Sequence, residues 1–455
     1  MIADLAKASS LQDLLAAEAA RFTAEHPRSV AMAGQAAQVW RGGAPMHWMN
    51  DWASPSPIFA AQGVGAQITD VDGKLYDDFC LGDTPSMFGH GDAAVAAAVS
   101  DQVKRGAGFM LPTATSVIVG RLLAERFGLP LWQTATTASD ANRAAIRWAR
   151  AVTGRPVILI FDGCYHGMVE DAFVVLGEGG AIMKPGLLGQ VHDLTATTRV
   201  IPFNDLAALQ AALAPGDVAA VLAEPVMTNC GMILPEPGFH DALRSLTRDA
   251  GTLLILDETH TLSSGPGGYV GLHGLEPDMF VVGKAIAGGV PAAVWGVTAE
   301  LSGRMDEAQA RTGPGQSGIG TTLSGNALAL AAMRAMLTEV MTAEAYGRML
   351  VGAQRLVAGL QAVIAARGLP WSVAHVGARV ELVFADPLPK NAAEMRKALD
   401  HDLLAALHLW LINRGVLIAP FHNMMLVSPV TEDPAIDRLV AAVDGFAGEI
   451  EGLSA

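Results

Sequence analysis

Short apolar runs alternate with amphipathic stretches through the middle of the chain. Residues 157–161, 219–223, 253–256, 279–282 and 294–297 are unbroken apolar runs of strand length. Helical periodicity appears over 93–104, 116–127 and 139–152, then from a cap at Asn204 or Asp205 to about Leu213, and again over 239–249. Strands buried on both faces read as continuous apolar runs, so this rhythm predicts a mostly parallel sheet covered by helices. The ends of the chain read differently. An amphipathic helix is expected over 11–22, then a Gly-, Pro- and Trp-rich segment over 33–59. A hairpin over 68–79 turns at Asp70-Val71-Asp72-Gly73. After helices at about 326–337 and 343–367, the segments 371–384 and 416–428 alternate like strands of an α+β domain, with helical pattern between them. The expected α/β organisation is a large domain over 81–335 and a smaller one from both termini, 1–80 and 336–455.

Composition narrows the class. The 455 residues carry a net charge of −15, which argues against a nucleic-acid partner, and 51% hydrophobic content with 16% charge excludes disorder. No uninterrupted apolar run reaches about 18 residues, so no membrane span is expected. Asp4, Asp13 and Glu18 near the N-terminus do not suit a secretory signal. Cys80, Cys164 and Cys230 are too widely spaced for a disulfide framework or a zinc site, and the expected setting is the reducing cytoplasm, with no metal.

Five features carry candidate chemistry. Asp257 and Glu258 end the most apolar run, where open α/β sheets place functional groups, although one of the pair can equally cap the next turn. Lys284 is one of only seven lysines and lies in apolar, glycine-rich sequence without acidic neighbours. That placement suits a desolvated amine for Schiff-base chemistry better than a surface solubiliser. Thr136-Thr137-Ala138-Ser139 opens a helix whose free N–H groups can cap it or hold a phosphate. Tyr165-His166-Gly167 follows a strand end, where an aromatic ring can cover a flat ligand, and Gly320-Thr321-Thr322 is a second hydroxyl-rich loop. Together these are the needs of pyridoxal phosphate: an anion site, a ring cover, an acid for the pyridine nitrogen and a lysine for the aldehyde.

From about Arg41 to Phe446 the chain resembles the class III aminotransferases, fold type I enzymes that use pyridoxal 5′-phosphate (PLP). The most specific marker is Leu256-Asp257-Glu258 with Lys284, which follows Asp257 by 27 residues. The resemblance implies a seven-stranded, mostly parallel sheet and a homodimer with shared sites. It implies Lys284 as the cofactor-bonding lysine and proton shuttle, Asp257 as the pyridinium partner and Glu224 as a supporting acid. Tyr165, beside His166, matches the ring-stacking aromatic, and Ala138 and Ser139 the phosphate loop. Thr322 matches a threonine that reaches the phosphate across the dimer.

Departures from the family pattern bear on the substrate. Thr259 stands where a branched apolar residue packs on the ring, and is followed by His260. Ala138 replaces a usual glycine. The segment Met46-His47-Trp48-Met49-Asn50-Asp51-Trp52 and the segment Pro420-Phe421-His422-Asn423 contain no arginine for a substrate carboxylate, although Arg41 lies nearby. Trp48, Trp52, His260, Phe421 and His422 are therefore the candidate substrate residues. The expectation is a transaminase moving an amino group from a hydrophobic or long-chain amine to a keto acid such as pyruvate. The alternatives are a PLP-dependent 2,1-aminomutase or racemase, which needs no acceptor, and a β-amino acid transaminase. The missing arginine weighs against the mutase, whose substrate carboxylate needs an anchor. A scaffold that has lost catalysis is disfavoured by the retained lysine and aspartate.

Overall fold

The apolar runs pair into a single seven-stranded sheet. The computed structural model describes residues 2–454, with side chains over 11–452, so the side chain of Asp4 lies outside the description. In chain order the strands are β1 (Leu131–Ala135), β2 (Val157–Phe161), β3 (Thr198–Ile201), β4 (Val218–Ala223), β5 (Leu253–Asp257), β6 (Met279–Val282) and β7 (Ala293–Val297). They lie side by side as β1-β7-β6-β5-β4-β2-β3. From β3 to β6 all neighbours are parallel, whereas β7 is antiparallel to both β6 and β1. No apolar run marks β1 or β3, because these are the edges of the sheet. Gln133 and Thr134 in one and Thr198 and Arg199 in the other interrupt the hydrophobic pattern there.

The helix α1 (Ala138–Thr153) crosses this sheet and buries Ala141, Ala145, Ile146 and Ala149 against it. The chain's two ends meet in further cores. Ala353, Leu356 and Leu360 of the helix Ala343–Arg367 pack with Trp410, Leu439 and Phe446 and with Val380 and Leu382 of a hairpin. That helix is long and apolar enough to cross a membrane by length and composition, yet its apolar face is part of the core. Phe22 and Tyr76 from the N-terminal segment pack on Leu409, Ile412 and Leu417, and the strand Val416–Leu417 pairs in parallel with Leu75–Asp78.

One turn ties the hairpin to the large sheet. Gly377 joins the strands Ser372–Val376 and Arg379–Val383 at φ +57°, and a Cβ there would lie 2.4 Å from Ser264 Cα and 2.6 Å from Ser263 O. Gly377→Ala combines a strained φ with a backbone clash and is expected to cost at least about 2 kcal/mol. Chemical denaturation measures this, and an unchanged midpoint would show that the loop after β5 yields freely.

Candidate active site

Glu224, Asp257 and Lys284 sit at or just beyond the carboxyl ends of β4, β5 and β6, where an open α/β sheet forms its binding crevice. Asp257 and Glu258 are consecutive and take opposite sides. Asp257 faces a cavity of about 500 Å³. Glu258 turns away from it, accepting the N–H groups of Tyr269 and Val270 at the start of a short helix, and the Thr261 hydroxyl at 2.6 Å. Of the two readings the pair allowed, Glu258 takes the cap and Asp257 the cavity.

Asp257 accepts from Asn142 Nδ2 at 2.8 Å, His166 Nδ1 at 3.0 Å, Thr259 N at 3.1 Å and Thr259 Oγ1 at 2.6 Å. Burial works against its charge, but His166, Thr259 and Asn142 hold the carboxyl below the usual carboxylate range. His166 is pushed up to about 10; burial opposes this and is outweighed by Cys164 and Asp257. The cavity floor therefore holds a fixed negative charge.

Lys284 follows Gly283 at φ +47°, and its Nζ donates to Asp83 Oδ2 at 2.5 Å and to His260 Nε2 at 2.6 Å. The lysine without acidic neighbours in sequence thus has one in space, brought by the fold from 201 residues away. Asp83 sits in a turn where Leu81, Asp83 and Thr84 have φ of +50°, +57° and +99°. Such strain in residues other than glycine concentrates at functional sites.

Thr137 caps α1 by accepting from Asp140 N, and Ala138 and Ser139 line the cavity beside the unpaired N–H groups of the first helical turn. The methyl of Ala138 faces Gly283, where a Cβ would come within 2.9 Å. The glycine expected in the phosphate loop is thus matched by space on the opposite strand. Tyr165 lines the same cavity; the Trp48 ring stands edge-on to it at 5.8 Å and to Phe421 at 5.7 Å. Trp52, Met46 and Met49 complete this apolar wall.

The structure brings Trp48, Trp52, Ala138, Ser139, Tyr165, His166, Glu224, Asp257, Thr259, His260, Lys284 and Phe421 to one cavity. It does not bring His422 there. His422 is buried behind the wall with Nδ1 3.0 Å from Glu381 Oε1, because the turn that carries both residues points Phe421 to the cavity and His422 to the interior. Thr322 is exposed and off the lining, while Thr321 Oγ1 lies 2.9 Å from Thr136 Oγ1. His47 packs edge-on against Trp48, and Arg41 is exposed, outside the lining. Asp83, Thr228 and Asn142 join the site without any signal in the sequence pattern.

A fixed carboxylate, a lysine amine, a helix N-terminus suited to an anion and a wall of rings form a set that fits PLP, with Asp257 able to hold a protonated pyridine nitrogen and Lys284 the aldehyde. These features define a PLP-dependent enzyme of fold type I. The chain belongs to the class III aminotransferases, whose family model matches residues 48–443. Among its relatives, the glutamate-1-semialdehyde 2,1-aminomutase 2 of Exiguobacterium sibiricum is 34% identical over 399 residues, covering 86% of this chain and 89% of that protein. The crystal structure of a glutamate-1-semialdehyde-aminomutase from Pseudomonas aeruginosa PAO1 superimposes with a TM-score of 0.95 at 46% identity, covering 97% of this chain and 99% of that one. An omega-transaminase from Sphaerobacter thermophilus gives a TM-score of 0.85 at 29% identity, covering 93% and 98%.

These likenesses overturn the expectation of a transaminase passing an amino group from a hydrophobic amine to a keto acid. The aminomutase alternative is the better supported. Absence of arginine from two segments describes one wall of the cavity. It does not determine whether the amino group leaves with a second molecule or returns to the first.

The Asp257–His166 pair has a pH signature. His166 holds its proton more tightly folded than unfolded, so its contribution is full below pH 6.5 and is lost as pH rises through about 10. The cofactor-free protein is expected to lose stability across that window, and His166→Gln to flatten the loss. Parallel stability curves for the two proteins in urea would refute the pairing.

Proposed function

We propose that this protein is a PLP-dependent aminomutase, shifting an amino group between adjacent carbons of one molecule, with glutamate 1-semialdehyde as its substrate class. The observation that carries this is the likeness, across nearly the whole chain, to 2,1-aminomutases. The site is consistent with it. When bound, PLP supplies an electron sink that acidifies the hydrogen on the carbon bearing nitrogen. Lys284 removes a proton from one carbon and delivers one to its neighbour a single bond away, so one mobile amine serves both positions. Asp257 keeps the pyridine nitrogen protonated, and Thr259 and Glu224 hold the surrounding loops. Ala138 and Ser139 seat the phosphate, Tyr165 covers the ring, and Trp48, Trp52 and Phe421 exclude water.

We further propose a homodimer working in the cytoplasm. Phe109, Met110, Leu111 and Leu323 are exposed, and Ala327 N donates to Ala107 O to hold these two segments together. A second copy covering them would let Thr322 of one chain complete the other's phosphate site. The three cysteines are free, as a reducing compartment requires.

The PLP-loaded enzyme, given glutamate 1-semialdehyde and no keto acid, is expected to form the isomer with nitrogen on carbon 1 and the carbonyl on carbon 2. Lys284→Ala is expected to lower that rate on the order of 10³-fold. Product that appears only when a keto acid is added would refute the aminomutase.

A further inference from the structure

The loop after β5 carries a histidine to which the reading above gives no chemical step. His260 Nε2 lies 2.6 Å from Lys284 Nζ, and His260 Nδ1 lies 2.7 Å from Thr228 Oγ1. Thr228 Oγ1 donates in turn to Glu224 Oε2 at 2.7 Å. The neighbours fix the direction of each bond. An ammonium only donates, so His260 accepts at Nε2. The Thr228 hydroxyl gives its hydrogen to Glu224, so it accepts from His260 Nδ1–H. His260 is the neutral Nδ1–H tautomer, joined to the reactive amine on one side and to a buried carboxylate on the other.

We propose that His260 is a catalytic residue that moves a proton between Lys284 and Glu224 by way of Thr228. The proposal rests on Lys284 as the working amine of the aminomutase reading. In the forward direction a proton leaves Lys284 Nζ for His260 Nε2. The Nδ1 proton passes to Thr228 Oγ1, and the hydroxyl proton passes to Glu224 Oε2. An ammonium and a carboxylate become an amine and a carboxylic acid; charge balances and no electrons are exchanged. The reverse sequence restores the ammonium.

The surroundings suit this transfer. Thr228 is fully buried, and Glu224 and His260 are nearly so, so the steps beyond Lys284 run through the protein interior. Burial, then the positive charges of Lys284 and Arg379, hold His260 well below the usual imidazole range, so it stays neutral. Burial raises Glu224, bringing a proton within its reach. Asp83 lies 2.5 Å from Lys284 Nζ and 3.7 Å from His260, where it steadies the ammonium. Arg379 Nε donates to the His260 carbonyl at 3.0 Å, while His422 and His166 add to the positive field. Asn229 and the Tyr165 N–H hold Glu224 in place.

His260→Gln tests the path, because an amide can still accept from Lys284 and donate to Thr228 but cannot pass a proton across itself. In the cofactor-free protein labelled with ¹⁵N-histidine, the signal missing from His260→Gln identifies His260 by NMR. A neutral Nδ1–H imidazole at neutral pH is expected; an Nε2–H tautomer or an imidazolium overturns the relay. In the PLP-loaded enzyme, His260→Gln and Thr228→Val are each expected to lower kcat about 10²-fold, with KM and the cofactor absorbance band unchanged. Wild-type kcat in either variant overturns the relay. Thr228→Val also shifts the His260 signal, so the assignment survives if His260→Gln does not fold. Failure of the wild type to act without a keto acid would sink the aminomutase and leave the NMR result to decide the relay.

Discussion

Asp257 carries its negative charge at 5% exposure, at the end of a strand whose other residues are wholly apolar. An ion in that position is costly unless its hydrogen-bonding capacity is met in full. Four donors meet it, and they come from three separate parts of the chain: Asn142 on α1, His166 after β2, and Thr259 beyond β5. The same bonds that keep the carboxylate ionised therefore lock α1 and the loop after β2 to the centre of the sheet. Displacing any one of these elements would leave a buried charge underpaired, so the geometry of the cofactor site and the stability of the fold are one constraint.

A buried cation from the C-terminal hairpin also reaches this centre. Arg379, 1% exposed on the hairpin strand, donates to the His260 carbonyl and to the Thr84 hydroxyl. Those two contacts hold the two segments that flank Lys284. One carries His260, and the other is the strained turn that presents Asp83. Burial brings the guanidinium down to about 10, a measure of how far it is drawn out of water to do this. The strain at Leu81, Asp83 and Thr84 persists because the contacts of Thr84 with Arg379 and of Asp83 with Lys284 hold the turn.

How much of this was legible in the chain follows from the range of each interaction. The inner strands announced themselves because both faces are buried, while the edge strands β1 and β3 carry polar residues and hid among loops. Asp257 and Lys284 were legible because each terminates its own apolar run. Asp83 was not, since its approach to Lys284 depends on a backbone conformation that aspartate rarely adopts and on closure of a long loop in the chain. His422 was misplaced for a tertiary reason: it lies in a turn whose direction is set by packing, and the turn sends it inward to Glu381 while Phe421 keeps the cavity. The reaction type was hidden for a chemical reason, because transfer to a second molecule and return to the same one require the same lysine, the same acid and the same phosphate seat.

What separates the two chemistries is therefore the handling of protons and of the departing molecule. A transaminase releases one product before the next substrate arrives, and solvent can reset its lysine during the exchange. An aminomutase keeps one carbon skeleton in place while a proton is removed at one carbon and another delivered at its neighbour. Its lysine gains from being recharged from within the site. Lys284 sits between the carboxylate of Asp83 and the imidazole of His260, under a wall of Trp48, Trp52 and Phe421. An amine with a partner for its charge on one side and a proton acceptor on the other can change protonation state without opening the cavity, which is the demand that acceptor-free isomerisation makes.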